Sequence, residues 1–253
     1  MRVAVVQHDI VWEDAQATCA RLEPWIAAAA GAGARLIVLA EMFATGFSMH
    51  AERIAEPPGG PTTQFLCEQA AEHDVWLAGS LAEQPPEADR PFNTLTVAGP
   101  AGELERYRKR HPFTYAGEHE HFAAGDDLVT VTIEGLRCSL FVCYDLRFAD
   151  GFWAVADRTD CYLVPANWPE TRRGHWTALL EARAIENQAY VVGCNRVGSG
   201  GALDYTGDSR IIDPSGSVLA AASGGESLLL AEIDPRVVAQ TRERLPFMRD
   251  RRG

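Results

Sequence analysis

Short apolar runs that do not alternate with polar residues are the strongest constraint on how this chain can fold. Residues 3–7, 36–40, 75–80, 94–98, 129–133, 137–143, 161–165, 190–195, 210–213 and 228–233 read as strands, and several are apolar at successive positions. A strand with one face in water alternates, so these need cover on both faces. Helical patterns at residues 12–30, 62–73 and 175–188 can supply it. Gly31 suits the stop of the first and Pro61 the start of the second, whereas Pro24 predicts a kink or a division. Strands alternating with helices indicate an α/β fold. Residues 132–138, turning at Gly135, read as a hairpin, and Asp213-Pro214-Ser215-Gly216 as a turn between two further strands, so the sheets are predicted to be mixed. With 253 residues, 47% of them hydrophobic, one domain spanning 1–253 is expected. Residues 85–91 read as an exposed loop and 249–253 as a frayed polar end.

The net charge of −12 disfavours nucleic-acid phosphates and anionic lipid as partners. No apolar run approaches the about 18 residues of a membrane span, and the N-terminus reads as a strand rather than a signal peptide. Cys19, Cys67, Cys138, Cys143, Cys161 and Cys194 are scattered without a C-x-x-C pair, which argues against zinc and for reduced thiols in a cytoplasmic protein.

Four segments can carry chemistry, each with an ordinary structural alternative. Ser139-Leu140-Phe141-Val142-Cys143 is an apolar strand ending in a thiol, placed either as a rigid nucleophile or as one more core cysteine. Leu36-Ile37-Val38-Leu39-Ala40-Glu41 ends in a carboxylate, either a buried base or a solvated loop residue. In Tyr107-Arg108-Lys109-Arg110-His111 an extended backbone sends Lys109 to one face and its arginine neighbours to the other. Lys109 is then either a fixed charge for an oxyanion or part of a solvated basic face. Gly117-Glu118-His119-Glu120-His121 makes a poor closed metal site, and a carboxylate that positions the lysine or the substrate fits it better.

Taken together, Ala40-Glu41-Met42-Phe43, Arg108-Lys109-Arg110-His111, Gly117-Glu118-His119 and Val142-Cys143-Tyr144-Asp145-Leu146-Arg147-Phe148 resemble the nitrilase (carbon–nitrogen hydrolase) superfamily in order and gaps. The likeness continues through Pro165-Ala166-Asn167-Trp168-Pro169 and Ala182-Arg183-Ala184-Ile185-Glu186-Asn187. Within the superfamily it is nearest to the bacterial omega-amidases. This resemblance implies a four-layer αββα sandwich that associates as a homodimer or higher oligomer, with residues 181–187 as a possible dimer face. It implies Cys143 as nucleophile, Glu41 as base, Lys109 as oxyanion stabiliser and Glu118 as their support, with no cofactor and no metal. The implied substrate is the terminal amide of 2-oxoglutaramate or 2-oxosuccinamate, cleaved through a cysteine thioester. N-carbamoyl amino acids, other aliphatic amides and nitriles suit the same trio. Phe43, Phe113, Tyr144 and Trp168 are expected as pocket walls, Arg172 and Arg173 as the fork for the substrate carboxylate, and Arg147 in a structural ion pair.

Overall fold

The computed structural model describes residues 1–252, and in it the non-alternating runs form the middle of two sheets. The first part of the chain gives β1 (Arg2–Gln7), α1 (Ala15–Gly31), β2 (Leu36–Val38), α2 (Ala51–Ile54), α3 (Pro61–His73), β3 (Trp76–Glu83), β4 (Phe92–Ala98), β5 (Leu104–Arg108) and α4 (Glu118–His121). The second gives β6 (Thr130–Ile133), β7 (Leu136–Leu140), α5 (Ala149–Val155), β8 (Cys161–Ala166), α6 (Arg173–Asn187), β9 (Tyr190–Asn195), β10 (Val197–Gly200), β11 (Leu203–Ile212), β12 (Val218–Ser223), β13 (Ser227–Glu232) and α7 (Pro235–Arg244). One sheet runs β13-β1-β2-β3-β4-β5; the other runs β10-β11-β9-β8-β7-β6, with β12 on β11. The β1–β2–β3 and β7–β8–β9 pairings are parallel and the rest antiparallel, so both sheets are mixed.

Three apolar clusters define four layers. Between the sheets, Val3, Val5 and Val38 meet Leu140, Leu163 and Val192. Outside the first sheet, Ala4, Val6 and Ile37 meet Leu22 and Ile26 of α1 and Leu66 of α3. Outside the second, Tyr162, Val164 and Val191 meet Phe152 of α5 and Trp176 and Leu180 of α6. The architecture is αββα. Successive residues of β1 thus enter two different cores, which is why the strand does not alternate; each large apolar side chain so buried contributes about 1.5–3 kcal/mol.

The element ends differ from the sequence reading for identifiable reasons. The Asp14 side chain accepts from the Ala17 amide at 2.9 Å, so α1 begins at Ala15 rather than residue 12. Pro24 does not divide it. Strand β5, strand β10 and helices α5 and α7 were not anticipated. Helix α7 is held by Arg242, whose guanidinium donates to the carbonyls of Ala156, Thr159 and Asn187 at 2.9–3.0 Å. The end is tied down through residue 251: Arg251 pairs with Asp157 at 3.0 Å and stacks 4.2 Å over Trp153. Gly253, the last residue of the predicted frayed end, lies outside the described residues. Among the described residues no helix is long and apolar enough to cross a membrane.

Candidate active site

The chain turns inward where it leaves β2, β5, β7 and β8, and this brings Glu41, Lys109, Cys143 and Asn167 together. Lys109 follows β5 directly. Its backbone stays paired, donating to Asn93 and accepting from Gly125 at 2.9 Å each, and its side chain is 1% exposed. Arg108 faces outward, 4.2 Å over Phe92. The expected alternation of this basic run is therefore present.

Inside, the Lys109 ammonium donates to Glu41 Oε1 at 2.8 Å, and to Glu118 Oε2 at 2.8 Å and Oε1 at 3.1 Å. Asn93 Nδ2 bridges the same two carboxylates at 2.8 and 3.2 Å. The Asn167 amide donates to Glu41 Oε2 at 2.7 Å, and the Phe113 amide donates to Glu118. Burial by itself would favour neutral Lys109, but the charges of Glu118, Glu41 and Cys143 outweigh it and raise its proton affinity. Burial raises Glu118, opposed by Lys109. Burial, then the Glu41 charge, hold the Cys143 thiol well above its ordinary value, with Lys109 pulling the other way. These effects favour a neutral thiol at Cys143 over a thiolate.

Cys143 opens a 3-10 turn, Cys143–Arg147, at φ +45°, a left-handed conformation costly for a residue with a Cβ. Asp145 braces that turn. Its carboxylate accepts from the Val142 amide at 3.0 Å, the His111 amide at 3.0 Å, His111 Nδ1 at 2.8 Å and the Tyr107 hydroxyl at 2.7 Å. The Tyr144 amide sits in the first turn of this segment, where N–H groups have no carbonyl of the same turn to donate to.

Cys143 opens onto a cavity whose walls include Phe47, Phe113, Tyr144, Trp168 and Tyr205. Of the expected wall residues, Phe43 lies elsewhere. Met42 turns the backbone at φ +44° and sends the Phe43 ring into the helix-side core, 6.4 Å from Phe65. Arg172 lines the cavity, whereas its neighbour Arg173 pairs with Asp208 at 2.7 Å. Arg147 also lines the cavity, where a structural ion pair was expected. It stacks 4.7 Å over Trp168 and lies 3.3 Å from His175 Nδ1. Neither Arg147 nor Arg172 pairs with a carboxylate among the described residues. Asn93, Phe47 and Tyr205 have nothing local in the sequence to mark them, and Asn167 stood in a matching segment without a role assigned to it. No cluster of His, Cys, Asp and Glu suited to a metal forms among the described residues.

Residues 2–243 match the family model for carbon-nitrogen hydrolases. The chain belongs to that family, the nitrilase superfamily, and is an enzyme acting on amides. It is 37% identical over 252 residues to the omega-amidase YafV of Escherichia coli (strain K12), covering 99% of this chain and 96% of that one. It is 35% identical over 223 residues to the 2-oxoglutaramate amidase of Bacillus subtilis (strain 168), covering 86% and 85%. Among solved structures it is similar to XC1258 from Xanthomonas campestris, a CN-hydrolase superfamily protein with an arsenic adduct in its active site. That likeness has a TM-score of 0.95 at 35% identity, over 100% of this chain and 97% of that one.

Proposed function

We propose that the chain hydrolyses the terminal amide of a small keto-dicarboxylate monoamide, 2-oxoglutaramate or 2-oxosuccinamate, through a Cys143 thioester. The observation that carries this reading is the Lys109 ammonium held at 2.8 Å from both Glu41 and Glu118, beside a thiol that opens on a cavity with two unpaired arginines. Glu41 takes the thiol proton as sulfur attacks the amide carbon. Lys109 and the Tyr144 N–H receive the charge that gathers on the carbonyl oxygen. The tetrahedral adduct collapses with carbon–nitrogen cleavage, and protonated Glu41 gives its proton to the departing ammonia. Water, losing a proton to Glu41, then attacks the thioester; the acid leaves and that proton returns to sulfur. Arg172, with Arg147 beside it, is suited to the far carboxylate of the substrate. The names of the relatives support the same substrate class.

The whole chain serves as one catalytic domain in this reading. A homodimer through the 181–187 face is consistent with Ile185, which is 53% exposed on α6. The six free cysteines fit a reducing compartment such as the cytoplasm.

The test is ammonia release from 2-oxoglutaramate, 2-oxosuccinamate, glutamine, carbamoyl-alanine, a simple aliphatic amide and a nitrile, scored by kcat/KM. The keto acids should lead; a lead for the carbamoyl compound or the nitrile overturns the substrate assignment. The acyl-enzyme should appear as a mass adduct on Cys143, and Cys143→Ala should release no ammonia.

A further inference from the structure

Asn167 joins two bonds to Glu41 with an unpartnered oxygen beside the cavity; Asn93 Oδ1 is likewise buried without a partner among the described residues, but Asn93 does not line the cavity. The Asn167 backbone N–H donates to Glu41 Oε2 at 2.7 Å, and its side-chain Nδ2 donates to the Glu41 carbonyl. Its Oδ1 is buried with no hydrogen-bond partner among the described residues, and the residue, 4% exposed, lines the cavity beside Cys143. Turning the amide over does not relieve this, since Oδ1 would then face the Glu41 carbonyl and both atoms would be acceptors. A buried acceptor without a donor costs about 1–3 kcal/mol, which a ligand N–H can return.

The supply of acceptors near the scissile bond is otherwise limited. Glu41 Oε1 already receives Lys109 and Asn93, and Oε2 receives the Asn167 amide. A primary amide brings two N–H groups, and its nitrogen gains protons as ammonia departs. A carboxylate product or an ester brings only acceptors to the same place.

We propose that Asn167 Oδ1 is the acceptor for the leaving-group nitrogen, and that it makes the site select amides over esters. The assignment rests on the Cys143 thioester reading but not on which amide is the natural substrate. As the carbon–nitrogen bond breaks, Oδ1 holds one N–H of the departing group while Glu41 delivers the proton that completes ammonia. The acid product then meets an acceptor lone pair, which favours its release.

The experiment compares a primary amide with the methyl ester of the same acid, in wild type, Asn167→Ala and Asn167→Ser. The acid is the one whose amide the wild type turns over fastest in the substrate panel. The proposal expects kcat/KM for the amide to fall on the order of 100-fold in Asn167→Ala, the size of a lost transition-state hydrogen bond. Both substrates lose what the Asn167 Nδ2 bond to the Glu41 carbonyl contributes, but the ester should lose about tenfold less than the amide, so that the amide-to-ester ratio falls. Asn167→Ser, which keeps a small acceptor, should recover part of the ratio and covers the case in which the alanine variant does not fold. Equal losses for amide and ester, or an unchanged ratio in the serine variant alone, overturn it. Failure of the thioester reading is separate, since it shows as ammonia release by Cys143→Ala.

Discussion

The Nζ of Lys109 lies 2.8 Å from Oε2 of Glu118, and neither side chain is more than 1% exposed. Two carboxylates, Glu41 and Glu118, converge on this one cation. Removing the cation therefore leaves two buried negative charges facing each other, whereas removing Glu118 leaves a neutral pair. Lys109→Ala should cost about 3–5 kcal/mol of stability and lower kcat by about 100- to 1,000-fold. Glu118→Gln should leave the melting temperature closer to wild type. It should still reduce kcat more than tenfold, because Lys109 then neutralises Glu41 alone and weakens it as a base. Thermal melts with steady-state kinetics on both variants check this; a Glu118→Gln enzyme with unchanged kcat contradicts the coupling.

Burial gives the second prediction its sign. It is the largest cause raising the thiols of Cys143 and Cys161 well above their ordinary value, and it pushes Cys19 and the Tyr205 phenol to about 12. Between the unfolded values, about 8.5 for a thiol and 10 for a phenol, and these raised values, the folded chain holds protons that the unfolded chain has released. Stability from this source is complete below pH about 8.5 and declines as pH rises. Melting temperatures measured from pH 7 to 11 should be level to about 8.5 and fall beyond it. A level profile to pH 11 rules the account out.

Much of the fold was legible because burial on both faces leaves a mark in single strands. Val3 and Val5 point to one core and Ala4 and Val6 to another, so β1 is apolar throughout. Helix α7 leaves no such mark: only Val238 and Thr241 of it are buried, and a side-chain hydrogen-bond set at Arg242 holds it in place. In the site, Glu41, Lys109 and Cys143 were visible as ionisable or nucleophilic residues where apolar or extended runs end. Phe43 looked like a wall because it sits two residues from Glu41, yet the left-handed turn at Met42 reverses it. Asn93 joins Glu41 from 52 residues away through the strand order of the first sheet, and Asn167 from 126 residues away through packing of the second sheet on the first. Arg172 and Arg173 were indistinguishable as neighbours, and Asp208 on β11 separates them.

The arginines give a substrate-dependent prediction. Arg172 lies 5.4 Å from the Phe113 ring and Arg147 lies 4.7 Å from Trp168, so aromatic faces hold both cations where no carboxylate pairs with them. A hydrogen bond to a charged group contributes about 1.5–3 kcal/mol, equivalent to roughly 10- to 150-fold in kcat/KM. Arg172→Ala should lose that much with 2-oxoglutaramate and little with a neutral aliphatic amide. Arg147→Ala should show the same selectivity, whereas Arg173→Ala should change neither substrate and lower only stability. Equal losses on charged and neutral amides would remove the arginines from substrate recognition.

Asp145 allows scaffold and chemistry to be separated. It reaches neither the cavity nor the thiol, yet it collects four donors, from Val142, His111 twice and Tyr107, around the turn that holds Cys143 at φ +45°. That conformation persists only while its surroundings over-determine it. Asp145→Asn keeps the volume but replaces one acceptor oxygen by an N–H donor, which opposes at least one of the donors around it. Asp145→Asn should therefore destabilise the fold by about 2–4 kcal/mol. It should also relax the turn at Cys143, so kcat should fall at least about tenfold even at temperatures where the variant is fully folded. Tyr107→Phe removes one of the four bonds without adding a donor, and should cost about 1.5–3 kcal/mol while leaving kcat within about threefold. Circular-dichroism melts paired with kinetics 20 °C below each midpoint distinguish the two effects. If Asp145→Asn melts early but turns over like wild type when folded, the turn at Cys143 does not depend on this carboxylate.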